Sequence, residues 1–234
     1  MIVGCLPPLG VLVERQRLLV ALAAERPEML LLDAPSGYGK TSLALQYATS
    51  GRFDVVIWFD GAGREYSRRS LLQSLLWQVR QGCSDADEDL TEASGASLEH
   101  RLASLLYAAY WRHSTCLVLD NVVLSSSATD VAPLGSVLRS SIGADSCVIV
   151  TSRHPLAAPL AMRSLSLDGD DLRFGLDEGL ALARNYGLSE PLLNEVGNIQ
   201  CVARPWNTGG PRLGGAHEIA GGIVHLNASK LGVE

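Results

Sequence analysis

Residues 34–41 read Ala-Pro-Ser-Gly-Tyr-Gly-Lys-Thr: a small residue, four variable positions, then Gly-Lys-Thr. Each fixed position has work to do around the phosphates of a nucleotide. Gly37 and Gly39 tolerate positive φ, so successive backbone N–H groups can converge on an anion. Lys40 adds a mobile positive charge, and Thr41 offers a hydroxyl to Mg²⁺ at the start of a helix whose N-terminus carries partial positive charge. The candidate nucleotide-binding residues here are Ser36, Gly37, Tyr38, Gly39, Lys40, Thr41 and Ser42. Ala34 stands where a first glycine is commoner.

A phosphate loop needs an acidic partner for its metal at the end of a buried strand. Residues 115–121, TCLVLDN, supply four apolar residues and then Asp120, which joins Thr41 as the candidate Mg²⁺ pair. In chain order one further strand, Val55 to Asp60, falls between loop and acid. That order marks ATPases whose general base is an acid directly after the metal Asp. Here that place holds Asn121, which can position water but cannot take its proton. Asp120 and, weakly, Asn121 are therefore the catalytic candidates, and slow or absent hydrolysis is expected. Asp60 is a substitute acid. The run VIVTSRHP puts Thr151, Ser152 and Arg153 at the carboxyl edge of a sheet, where open α/β folds bind ligands. Arg153 is a candidate γ-phosphate contact, the alternative being an arginine in a surface loop before Pro155.

The elements that must position these groups are apolar runs alternating with helical patterns. Met29 to Asp33, Val55 to Asp60, Cys116 to Asp120 and Cys147 to Thr151 read as strands buried on both faces, and Ser164 to Leu167 as a fifth. Helices are expected over Ser42 to Ala48, Ser67 to Gln81, Leu98 to Arg112 and Asp177 to Tyr186, the last stopped by Gly187. The expectation is an α/β P-loop NTPase with a parallel sheet of about five strands and helices on both faces. Residues 1–28 form a lead-in and helix, 29–187 the P-loop NTPase domain, and 188–234 a Gly/Pro-rich, loosely structured tail. The acidic residues 84–97 read as a solvated loop.

With 234 residues, 47% of them hydrophobic, the chain has room for one α/β domain and a small appendage. A net charge of −6 disfavours broad attraction to nucleic acid. The five cysteines form no CxxC pair, and Cys116 and Cys147 fall in strand-like runs, as small buried hydrophobes of a reducing compartment would. No run reaches the roughly 18 apolar residues of a membrane helix, and the first residues lack a basic leader. A cytoplasmic location is expected.

The chain resembles the signal-transduction ATPases with numerous domains (STAND), most closely the large LuxR-type activators typified by the maltose-regulon activator. The resemblance rests on PPLGVLVERQRLLVALAA, APSGYGKTSLALQYA, VVIWFD, LVLDN, VIVTSRHPL and LDGDDLRFGLDEGLALA, between Pro7 and Tyr186. It implies an ATP/ADP switch with Mg²⁺, held closed by ADP and opened by ATP to self-associate or meet a regulatory protein. It also implies that Arg15 to Arg17 lie near the adenine, whereas Val13 to Ala24 read plainly as an amphipathic helix with charges facing water. The family-like pattern gives out near Val196, no DNA-reading element is visible, and a truncated or frame-shifted version is the expectation. Three functions stay open: a regulatory switch with at most weak ATPase activity, a catalytic P-loop ATPase or small-molecule kinase, and a non-functional remnant.

Overall fold

The computed structural model describes residues 1–7, 12–82, 97–124, 145–153, 163–185, 217–219 and 222–224. Six parallel strands form the main sheet: β1 (Ile2–Val3), β2 (Met29–Asp33), β3 (Val55–Asp60), β5 (Thr115–Asp120), β7 (Cys147–Ser152) and β8 (Ser164–Leu167). Their spatial order is β1-β3-β5-β7-β2-β8. All five expected strands are present. The sixth, β1, has only two residues, too few for any periodicity to show.

The strands are apolar at nearly every position because both faces are covered. Alternate residues feed two separate cores. Leu31, Ile57, Leu117 and Val148 point to one, with Leu71, Leu75 and Val79 of α3 (Arg68–Gly82) and Leu102, Leu105 and Leu106 of α4 (Leu98–Tyr110). Leu30, Leu32, Trp58, Val118 and Ile149 point to the other, with Leu18 and Leu22 of α1 (Gln16–Glu25) and Leu43, Ala44 and Tyr47 of α2 (Lys40–Ala48). Each fully buried Leu or Ile contributes about 2 kcal/mol by leaving water, so a charge at Ile57 or Leu30 would unfold the layers. Cys116 and Cys147 sit in the second core as buried free thiols, as read from their runs.

Helix starts follow local chemistry. Ser97 caps α4 by accepting the His100 N–H at 3.2 Å. α5 (Leu176–Asn185) begins after Gly175, whose N–H donates to Glu178 at 2.9 Å. The short strands β4 (Glu65–Tyr66) and β6 (Val123–Leu124) pair in parallel beyond β3 and β5, joining the two loops at the carboxyl edge. β9 (His217–Ile219) and β10 (Gly222–Val224) make an antiparallel pair within the stretch expected to be loose. Residues 84–96, Cys83, Cys201, Gly187 and the rest of the tail lie outside the described residues. Among the described residues, no helix is long and apolar enough to cross a membrane.

The strand between β2 and β5 in space is β7; β3 lies beyond β5. Chain order and spatial order thus differ, and the strand separating phosphate loop from Asp120 is the one that carries Thr151 and leads into Arg153.

Candidate functional site

The loop between β2 and α2 turns through Gly37 at φ 91° and Gly39 at φ 76°, both in the left-handed region that favours glycine. Gly39 is the N-cap of α2. No side chain caps the helix, and its first turn holds no acidic residue. The free N–H groups of that turn therefore border a cavity of about 440 Å³ uncompensated. Lys40 is folded back onto its own loop, donating to Ala34 O at 2.6 Å and Pro35 O at 2.9 Å. Burial lowers its pKa, opposed by the charge of Asp120 and reinforced by that of Arg153.

Asp120 ends β5 almost fully buried. Its Oδ1 accepts from Thr41 Oγ1 at 2.9 Å and from Thr151 Oγ1 at 2.6 Å. Burial raises the carboxyl pKa, and the two hydroxyl donors pull it back. Thr151 Oγ1 in turn accepts the Asn121 N–H at 2.7 Å. One threonine on β7 thereby fixes both the acid and the backbone of the residue after it. Asn121 itself is left-handed at φ 52°, a conformation asparagine tolerates.

Asp60 and Asp120 are register partners on adjacent strands, and both line the cavity. Asp60 Oδ1 accepts the Ala62 N–H at 2.7 Å. The next loop is tied to β5 by Gly61 N–H to Asp120 O at 2.8 Å and Gly63 N–H to Asn121 O at 2.9 Å. Arg153 also lines the cavity; its Nη2 lies 3.2 Å from where a Cβ on Gly63 would stand.

The other end of the cavity is built around Arg15, which precedes α1 and is 1% exposed. Its Nη2 donates to Leu172 O at 2.8 Å and Arg173 O at 3.2 Å, Nε lies 3.3 Å from Glu178 Oε1, and the Phe174 ring centroid is 4.4 Å from Cζ. The Glu178 contact falls outside hydrogen-bond geometry, so charge rather than a linear bond holds it. Gln46 of α2 clasps the preceding backbone, accepting the Arg15 N–H and donating to Val13 O, each at 2.9 Å. Arg17, by contrast, is exposed and reaches Asp171 O and Arg173 O. The plain reading of solvated charges therefore fits Arg17 but not Arg15.

Ser36, Gly37, Gly39, Lys40, Thr41, Ser42, Asp120, Asn121 and Arg153 meet around one cavity. Tyr38 does not line it; its ring packs beside Gly169, with Cε1 3.4 Å from that glycine's Cβ position. Arg15, which the resemblance put near the ligand, lines the cavity; Phe174 and Leu182, which complete that wall, were not singled out as site residues. The sequence signal for those two was the Leu-Arg-Phe stretch followed by a Glu-containing helix.

A profile of the NB-ARC domain matches residues 14–189. No curated protein matches the chain. Among solved structures, a Signal Transduction ATPase with Numerous Domains (STAND) protein with a tetratricopeptide repeat sensor from Pyrococcus horikoshii superposes with a TM-score of 0.57 at 16% identity, over 82% of this chain and 28% of that one. The Walker-type ATPase of Pyrococcus abyssi gives a TM-score of 0.47 at 16% identity, over 79% of this chain and 61% of that one. The chain thus spans little more than a quarter of the first of these proteins. With the profile covering well over half its length, the chain belongs to the NB-ARC domain family, and its fold is that of an α/β P-loop NTPase.

Proposed function

We propose that this domain is a nucleotide-dependent regulatory switch in a LuxR-type STAND regulator of transcription, binding ATP or ADP with Mg²⁺ and hydrolysing slowly or not at all. The observation that carries the reading is the meeting of Thr41 and Asp120 at 2.9 Å beside an uncapped helix N-terminus. The donor set fits the ligand. Free N–H groups and the Lys40 ammonium suit phosphate oxygens, while a hydroxyl and a buried carboxylate suit a hard divalent cation. When bound, the cation would neutralise phosphate charge.

The residues' own tasks follow from their contacts. Lys40 must leave Ala34 O and Pro35 O to reach a ligand, whereas Thr41 can go on donating to Asp120 and still offer an oxygen lone pair to a cation. Thr151 holds Asp120 from the neighbouring strand. Asn121 has no carboxylate to take a proton from water, which supports slow turnover. Arg153 supplies a cation at the cavity edge for a terminal phosphate. The partner of the switch is a second copy or a regulatory protein, in the cytoplasm, and the nucleotide unit is 29–187 completed by the Arg15 segment that lines its cavity.

Calorimetric titration with ATP and with ADP, with and without Mg²⁺, tests this, turnover being followed in the same sample. Micromolar or tighter binding with negligible turnover is expected. Failure to bind either nucleotide refutes the reading, and rapid turnover dependent on a small-molecule acceptor would mark a kinase instead.

A further inference from the structure

Part of the cavity wall belongs to a segment that is distant in sequence yet lies against the phosphate loop at two points. The first is Arg15. Its Nη1 lies 3.4 Å from the Cβ position of Gly39, while its Nη2 and Nε hold Leu172 O, Arg173 O and Glu178. The second is Tyr38, whose ring rests beside Gly169 in the turn that opens the same segment. Phe174 and Leu182, on either side of Glu178, then form cavity wall. Glu178 is itself fixed, with Oε2 accepting the Gly175 N–H at the start of α5, so its position and that of the helix cannot be changed separately.

We propose that the Arg15–Glu178 contact is a latch that holds the wall at residues 172–182 closed on the cavity and so sets how long a nucleotide is retained. The claim rests on the nucleotide reading above for its ligand, but the latch itself is a property of this chain's own side chains. Arg15 is nearly inaccessible to solvent, whereas the Glu178 side chain is 12% exposed, so Glu178 is the side from which the contact opens. Opening it frees α5 while Arg15 remains on the Leu172 and Arg173 carbonyls. The cradle side, made of Lys40, Thr41 and Asp120, needs no change for this to happen. Dissociation is therefore the step affected.

Two measurements on the full chain test it. Amide hydrogen exchange without nucleotide compares the wild-type protein with Glu178→Gln, which keeps an acceptor for Gly175 N–H but drops the charge. Exchange in 172–182 should become about tenfold faster, with 36–42 unchanged. Stopped-flow release of a fluorescent ADP should then be about tenfold faster in Glu178→Gln, with association within a factor of about two. Arg15→Lys, which retains charge but not the fork onto two carbonyls, should also speed release. Equal exchange of 172–182 in wild type and Glu178→Gln overturns the latch, as does unchanged release. If fluorescent ADP fails to bind the wild-type protein, the nucleotide reading falls and, with it, the retention role, while the exchange comparison still decides whether the contact holds the wall.

Discussion

The two ends of the cavity are made in opposite ways. At the Lys40 end, Lys40 donates only to carbonyls of its own loop and the first turn of α2 is uncapped, while Asp120 is held by hydroxyls from α2 and β7. At the Arg15 end a single guanidinium spends its contacts on Leu172, Arg173, Phe174 and Glu178, so the same atoms that shape the wall also hold the chain together. One end is kept available for a ligand, and the other is stabilised by what lines it. Substitutions at the two ends should separate binding from stability.

Lys40→Ala tests that separation most severely. Removing the ammonium should weaken ATP and ADP binding by about a thousandfold, or about 4 kcal/mol. The melting temperature should hardly move, because the side chain's partners are two carbonyls of its own loop. Calorimetry and a thermal melt on one preparation check it. Unchanged affinity would remove Lys40 from the site, and a large fall in melting temperature would erase the contrast between the ends.

Arg15→Ala should fall chiefly on stability, with affinity weakened only as far as faster release requires. It strands the Glu178 carboxylate and two carbonyls, which costs about 3 kcal/mol of folding stability. Urea unfolding measures that cost directly. A variant as stable as wild type would mean the Arg15 end is as uncommitted as the Lys40 end.

Thr151→Val is the intermediate case, since Thr151 belongs to the phosphate end but serves buried groups. It leaves the Asn121 N–H without its acceptor and takes one donor from Asp120. About 2 kcal/mol of stability should be lost, with weaker Mg²⁺-dependent binding. Urea unfolding together with titrations in the presence and absence of Mg²⁺ reads both. If stability alone falls, Thr151 supports the strand ends without affecting Asp120 as a ligand.

The same contrast explains what the sequence could reveal. The phosphate end was legible because its backbone geometry is encoded locally, with glycine at each left-handed position and Lys-Thr immediately after. Asp120 was legible because a strand buried on both faces makes an apolar run with a visible end. Arg15 was placed near the ligand by the resemblance alone, while its helical pattern suggested a solvated charge, because the guanidinium's hydrogen-bond partners lie 157 and 158 residues away and are backbone carbonyls, which carry no residue identity. Thr151 could be placed at the sheet edge. Its bond to Asp120 could not be foreseen, because that requires β7 to lie beside β5, and chain order suggested that β3 was the strand in between.

Gln46 is where the two ends are joined, and its effect should be the smallest. It sits on α2, the helix that starts at the phosphate loop, yet both of its amide bonds go to the backbone of residues 13 and 15. Gln46→Ala removes both and should cost about 1 kcal/mol, since residues 13–15 can recover part of the loss from water. The sharper expectation concerns coupling. If α2 carries Arg15 with it through this clasp, Gln46→Ala and Glu178→Gln loosen the same wall and their effects on ADP release should be less than additive. If the effects simply add, Arg15 is placed by its carbonyl partners alone and the two ends of the cavity are mechanically independent.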